Sequence, residues 1–167
     1  MKLAFLLAVG ASLAGAEPRP IPTAGEGWYG DPMTWKFRAD GVHCTLSNGN
    51  GIAVYEAAPL ASNVTVEATF TPTEADRLGW SVASVAIVDD ERNYWHLALV
   101  QTPADKGCQP TAELVEMRDG EWLAQENLKL ESHARGAKPW AFGQTCRLRL
   151  SLDTGGVAGT ITASDGS

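Results

Sequence analysis

From Cys146 to Asp153 every second residue is apolar: Cys146, Leu148, Leu150 and Leu152 alternate with Arg147, Arg149, Ser151 and Asp153. Successive side chains of an extended chain point to opposite faces, so this segment reads as a strand with one dry face and one wet one. A helix would scatter the same leucines around its circumference. Val64, Val66, Ala68 and Phe70 alternate with Asn63, Thr65, Glu67 and Thr69 in the same manner. Period two recurs in VHCTL at 42–46, GIAVYE at 51–56, WSVASVAIV at 80–88, NYWHLALV at 93–100, AELVEM at 112–117 and VAGTITAS at 157–164. No segment sustains a helical period, although LAQENLKLESHA at 123–134 has the composition of a short helix.

Turn chemistry separates these runs. Ser47-Asn-Gly-Asn-Gly51, Asp89-Asp-Glu-Arg-Asn93, Arg118-Asp-Gly-Glu121 and Asp153-Thr-Gly-Gly156 supply residues that tolerate positive φ and side chains that bond their own backbone. Short strands joined by such turns predict an all-β fold, an antiparallel β-sandwich or jelly roll. The last run ends on Asp165-Gly166, a turn pair with no returning strand. Two readings stand there: a C-terminally incomplete hairpin, or a frayed tail.

The first 16 residues, MKLAFLLAVGASLAGA, place Lys2 before an apolar run and end in small residues. That is the pattern of a secretory signal peptide cleaved after Ala16, and the run is too short to span a bilayer as a helix. Residues 17–34, rich in Pro and Gly, read as a leader or linker, and the sandwich domain as 35–167. The expected location is therefore secreted, periplasmic or cell-surface. Loss of Lys2 would move the net charge from -7 to -8, which disfavours a nucleic-acid partner. No membrane span is expected.

Export permits disulfides. Cys44, Cys108 and Cys146 lack the close spacing of zinc or redox motifs, and Cys108 with Cys146 is the preferred of three pairings. No cofactor is implied by spacing, and no metal site by the histidines His43, His96 and His133. Asp89, Asp90 and Asn93 do gather oxygen groups of the kind calcium takes in one turn. Asn63-Val64-Thr65 satisfies the N-glycosylation pattern.

NYWHLALV, then AELVEMRDGEWL, then CRLRLSLDTGGVAGTITASDG resemble the strand and turn pattern of concanavalin A-like lectin/glucanase domains, nearest to laminin-G-like and 3-keto-disaccharide-hydrolase-like modules of exported bacterial proteins. The resemblance covers residues 35–167. It implies two curved antiparallel sheets with a concave outer face that often carries sugar; further domains C-terminal to this chain are a separate expectation. Function must still be argued from the site.

Two glutamates and an aspartate at alternating positions, the laminarinase-type catalytic pattern, are missing. Glu113 and Glu116, three apart on a strand, point to opposite faces and do not form the close pair that a retaining glycosidase needs. No Gly-x-Ser-x-Gly elbow is present. The strand at 93–100 is more suggestive. If Trp95, Leu97 and Leu99 enter the core, Tyr94 and His96 share the other face, where a ring and a hydrogen-bonding group suit a sugar. Arg147 and Arg149 on another polar strand face, Glu116, and Trp122 near a turn complete the candidate carbohydrate-binding set. Trp140, also beside a loop, is a second candidate for exposure. The expected function is a secreted carbohydrate-binding module of a larger polysaccharide-processing protein. The alternatives are a glycoside hydrolase using Glu113 or Glu116 with His96 and Tyr94, and a structural or protein-interaction sandwich at the cell surface.

Overall fold

The computed structural model describes residues 2–9, 27–45, 50–56, 63–75, 78–90, 92–123 and 140–163. The signal-peptide end, the helical expectation at 124–134, His133 and Ser164–Ser167 lie outside the described residues. The described chain is all-β. Its strands are β1 (Lys2–Val9), β2 (Trp28–Gly30), β3 (Trp35–Arg38), β4 (Gly41–Cys44), β5 (Asn50–Glu56), β6 (Val64–Phe70), β7 (Ser81–Asp90), β8 (Asn93–Gln101), β9 (Pro110–Arg118), β10 (Glu121–Leu123), β11 (Cys146–Asp153) and β12 (Gly156–Ala163), with one 3-10 turn at Ala104–Lys106. No helix among the described residues is long and apolar enough to cross a membrane.

A seven-stranded sheet runs β10-β9-β8-β7-β1-β5-β2, a three-stranded sheet runs β12-β11-β6, and β3 and β4 form a separate hairpin. The two larger sheets pack face to face in a sandwich-like arrangement. Val64, Val66, Cys146, Leu148 and Leu150 from the smaller sheet meet Val85, Ile87, Leu97 and Leu99 from the larger one in a single buried cluster. These are the apolar sets of each alternating run, because burial of one face is what selects the alternation. Each buried leucine contributes about 2 kcal/mol by leaving water. Gly159 on β12 lies against this core, where a Cβ would come within 2.8 Å of Leu97 Cδ1, so the absence of a side chain lets the two layers approach.

Not every pairing is antiparallel. β1 runs parallel to both neighbours, with Leu6 opposite Ala53 and Val85. The seven-residue apolar run Leu3–Val9 fits the core of an export leader and an interior strand equally well, since both need apolar residues without a polar alternate set. β2 pairs with β5 upstream of Trp35, so the Pro/Gly-rich segment at 17–34 also supplies a strand. Trp28 of β2 stacks on Phe37, 4.9 Å between ring centroids, and this contact ties the β3–β4 hairpin to the larger sheet.

The expected Cys108–Cys146 disulfide is not formed: all three cysteines are free thiols. Cys146 is fully buried on the core face of β11, whereas Cys108 sits after the 3-10 turn at a φ of 49° and lines a surface depression of about 500 Å³ with Thr73, Glu74, Ala75, Gln101 and Phe142. Core strand and loop thus hold the two thiols in different environments. Burial pushes the remaining thiol, Cys44, up to about 11, which keeps it protonated. Trp140 is not exposed, contrary to the sequence expectation. It is buried in the core cluster, and its indole N–H donates to the Thr111 carbonyl at 2.7 Å, fixing the segment before β11 against β9.

Candidate functional site

β8 lies between β7 and β9, and its parity decides which residues share a surface. Leu97 and Leu99 enter the core, so Tyr94, His96, Ala98 and Val100 project from the other face of the sheet. Register then brings specific neighbours alongside. Val88, Tyr94 and Met117 form one row, Ala86, His96 and Val115 the next, and Ser84, Ala98 and Glu113 a third.

Trp122 joins this face through a two-residue hairpin. Asp119 and Gly120 adopt φ of 53° and 83°, the positive pair that a type I′ turn requires and that an Asp-Gly sequence accepts at low cost. The turn sets Trp122 opposite Met117 and hence on the side of Tyr94 and His96. The turn is itself held from the neighbouring hairpin: Asn93 Oδ1 accepts from the Asp119 amide at 2.9 Å, the Gly120 amide donates to the Arg92 carbonyl at 2.9 Å, and Arg92 donates to the Asp119 carbonyl at 2.5 Å.

Three rings converge as a result. The His96 and Trp122 centroids are 4.9 Å apart at a 34° tilt, Tyr94 meets Trp122 edge-on at 5.6 Å, and Tyr94 meets His96 edge-on at 6.2 Å. Their exposures differ sharply. His96 is 4% exposed, while Trp122 is 43% exposed and presents its ring to solvent at the rim. Burial lowers the His96 imidazole from its ordinary 6.5 to about 4, so at neutral pH it is uncharged. Desolvation raises the half-buried Tyr94 hydroxyl and the Glu113 carboxyl above their ordinary values.

Three other expected residues are not brought to this cluster. Glu116 pairs with Trp95, on the core side of β9, and is held by Arg118 through contacts of 2.8 Å to both carboxylate oxygens. Arg147 and Arg149 stand on the outer face of the three-stranded sheet, in the opposite layer, where Arg147 reaches Glu67 at 2.9 Å. Alternation marks a residue as facing outward but does not say from which sheet. Glu113 is instead the acidic residue that shares the face of His96, and Ser84, fully buried, lies in its row. Parity alone separates Glu113 from Glu116; the strand register sets Glu113 one row beyond His96 and two beyond Trp122.

The Asp89-Asp90-Asn93 turn has a structural role. Asp90 accepts from Asn93 Nδ2 at 3.0 Å and from the Arg92 amide at 2.7 Å, bonds that hold its carboxyl below the usual carboxylate range. Asn93 passes this order on to the turn that carries Trp122. Among the described residues no three His, Cys, Asp or Glu side chains converge as metal ligands.

The arrangement offers a solvent-edged aromatic ring, a neutral imidazole behind it and, one row further along β9, one carboxyl on the same face. Stacking and hydrogen bonding fit these groups, whereas the separation of Glu113 from Glu116 across the sheet leaves that pair unable to flank one scissile bond. No known protein family, curated protein or solved structure matches this chain.

Proposed function

We propose that this chain is an exported, concanavalin A-like jelly-roll module that binds carbohydrate without turning it over, within a larger polysaccharide-processing protein. The observation that carries the reading is the convergence of Tyr94, His96 and Trp122 on one sheet face with Trp122 open at its rim. Apolar sugar faces stack on exposed rings, while hydroxyls take the polar groups placed beside them. The leader pattern at residues 1–16 supports export.

A specific observation favours a second reading, a structural sandwich at the cell surface. Ser84, Ala98 and His96 on the same face are buried, as packed residues would be. Incubating the purified chain with soluble and insoluble polysaccharides, while recording protein depletion and reducing-sugar release, separates the readings. Depletion without release is the expected result. Release would establish a hydrolase, and neither signal would favour the structural sandwich.

A further inference from the structure

Among the described strands, β1 alone runs parallel to both of its neighbours, and it occupies an interior place in the larger sheet, between β7 and β5. Leu3–Val9 register with Asn50–Glu56 of β5, and Lys2–Leu7 with Ser81–Ala86 of β7. No other described strand joins the β5-β2 pair to β7. Cleavage after Ala16 would take β1 away and uncover two facing ladder edges at once.

Those edges lie in the interior. At the Leu6 position the flanking residues are Ala53 and Val85, and at the Leu7 position Val54 and Ala86; Ala53, Val85 and Ala86 are fully buried. Val85 belongs to the core between the layers, whereas Ala86 packs with Val54 in a second apolar cluster on the other face. Backbone N–H and C=O groups left unpaired in such a place carry a desolvation cost that an edge open to water does not. A strand seated here is enclosed on both faces, which selects apolar residues at every position rather than an alternating pattern.

We propose, resting on the export reading above, that removal of the leader turns the gap between β5 and β7 into an acceptor for a strand donated by a partner polypeptide. The donated strand is an extended run of about seven uncharged apolar residues, parallel to both neighbours and held by main-chain bonds to each. β1 itself shows the fit, since Leu3–Val9 is an unbroken apolar run seated in that register. An amphipathic strand satisfies one face of the gap and buries its polar set against the other.

The test uses the full chain with residues 10–16 replaced by a protease recognition sequence, folded first and then cut. A thermal melt before cutting establishes that the fold is intact. Two labelled, Lys-flanked peptides are then added in excess: one carries the Leu3–Val9 sequence, and the other the same sequence with Ala4→Ser, Leu6→Ser and Ala8→Ser. The apolar peptide is expected to displace the cut leader, bind one to one and protect the β5 and β7 amides from hydrogen exchange. It should bind at least about tenfold more tightly than the serine-bearing peptide. If the cut protein precipitates, the apolar peptide present during cutting should keep it soluble and the serine-bearing one should not. Equal behaviour of the two peptides, or β5 and β7 amides that stay protected after the leader leaves with no peptide bound, would overturn the acceptor assignment. N-terminal sequencing of the natural chain recovered from the exported fraction of a bacterial host tests the export reading separately. A start at Glu17 upholds that reading whatever the peptides do, and a retained Met1 would remove it and this inference together.

Discussion

The His96 imidazole lies 4.9 Å from the Trp122 indole, centroid to centroid, so a buried, uncharged ring backs an exposed one. The pair spans the passage from sheet interior to solvent, and its two members predict opposite kinds of behaviour.

His96 should make stability depend on pH. Its folded value of about 4 lies below the ordinary 6.5, so between those limits the unfolded chain binds a proton that the folded chain refuses. Stability therefore falls as pH drops from about 6.5 to about 4, by up to roughly 3 kcal/mol. Urea denaturation at pH 7 and pH 4.5 should show this loss for the native chain and a smaller one for His96→Gln.

Trp122 should matter for binding and little for folding. Trp122→Ala removes the exposed ring and is expected to abolish polysaccharide depletion while shifting the thermal midpoint by only a few degrees. Trp122→Phe keeps a stacking surface and should retain part of the binding. A collapse of the fold in Trp122→Ala would mean that the ring serves packing.

Glu113 should make stability depend on pH in the sense opposite to His96. Desolvation raises its folded pKa, so its charged form is disfavoured by folding and stability is lost as pH rises through that value. Glu113→Gln should raise the thermal midpoint at pH 7 relative to the native chain, with the difference vanishing in acid.

Between the two layers, Leu148 is fully buried and Arg149, its neighbour, is exposed. Leu148→Ala is expected to cost about 3 kcal/mol in urea denaturation, whereas Arg149→Ala should stay within about 0.5 kcal/mol. Equal effects would contradict the face assignment of β11.

The proposed export processing would remove residues that pair into the sheet. A chain beginning at Glu17 lacks β1, the parallel neighbour of both β5 and β7. Its urea midpoint should be lower than that of the full-length protein, and the β7 amides should exchange faster. Unchanged protection would show that β1 contributes nothing to the sheet.

The strands themselves were legible because each has a face that must be dry. The expected run at 93–100 differs from β8 by one residue, and 146–153 coincides with β11. Parity alone sends Leu97 and Leu99 inward and His96 outward. What could not be read was which strands lie side by side. Alternation puts Arg147, Arg149 and His96 alike on outward faces, yet the arginines and the histidine occupy different layers. Glu116 was preferred to Glu113, although Ala98 pairs with Glu113 and Trp95 with Glu116. Register arises from packing between segments distant in sequence, and local periodicity carries no record of it. Cysteine spacing was equally silent, since a pairing depends on two thiols meeting in space. The Asp-Gly turn before Trp122 was legible as a turn. That it is stapled to Asn93 was not.

The most direct measurement is a ¹H–¹⁵N correlation spectrum of the labelled chain titrated with an oligosaccharide drawn from a polysaccharide that depletes the protein. The account predicts saturable shifts of the Trp122 indole N–H and of the backbone amides of Tyr94, His96 and Glu113, with the β11 amides of Arg147 and Arg149 unmoved. Shifts confined to β11, or none near Trp122 on saturation, would contradict it.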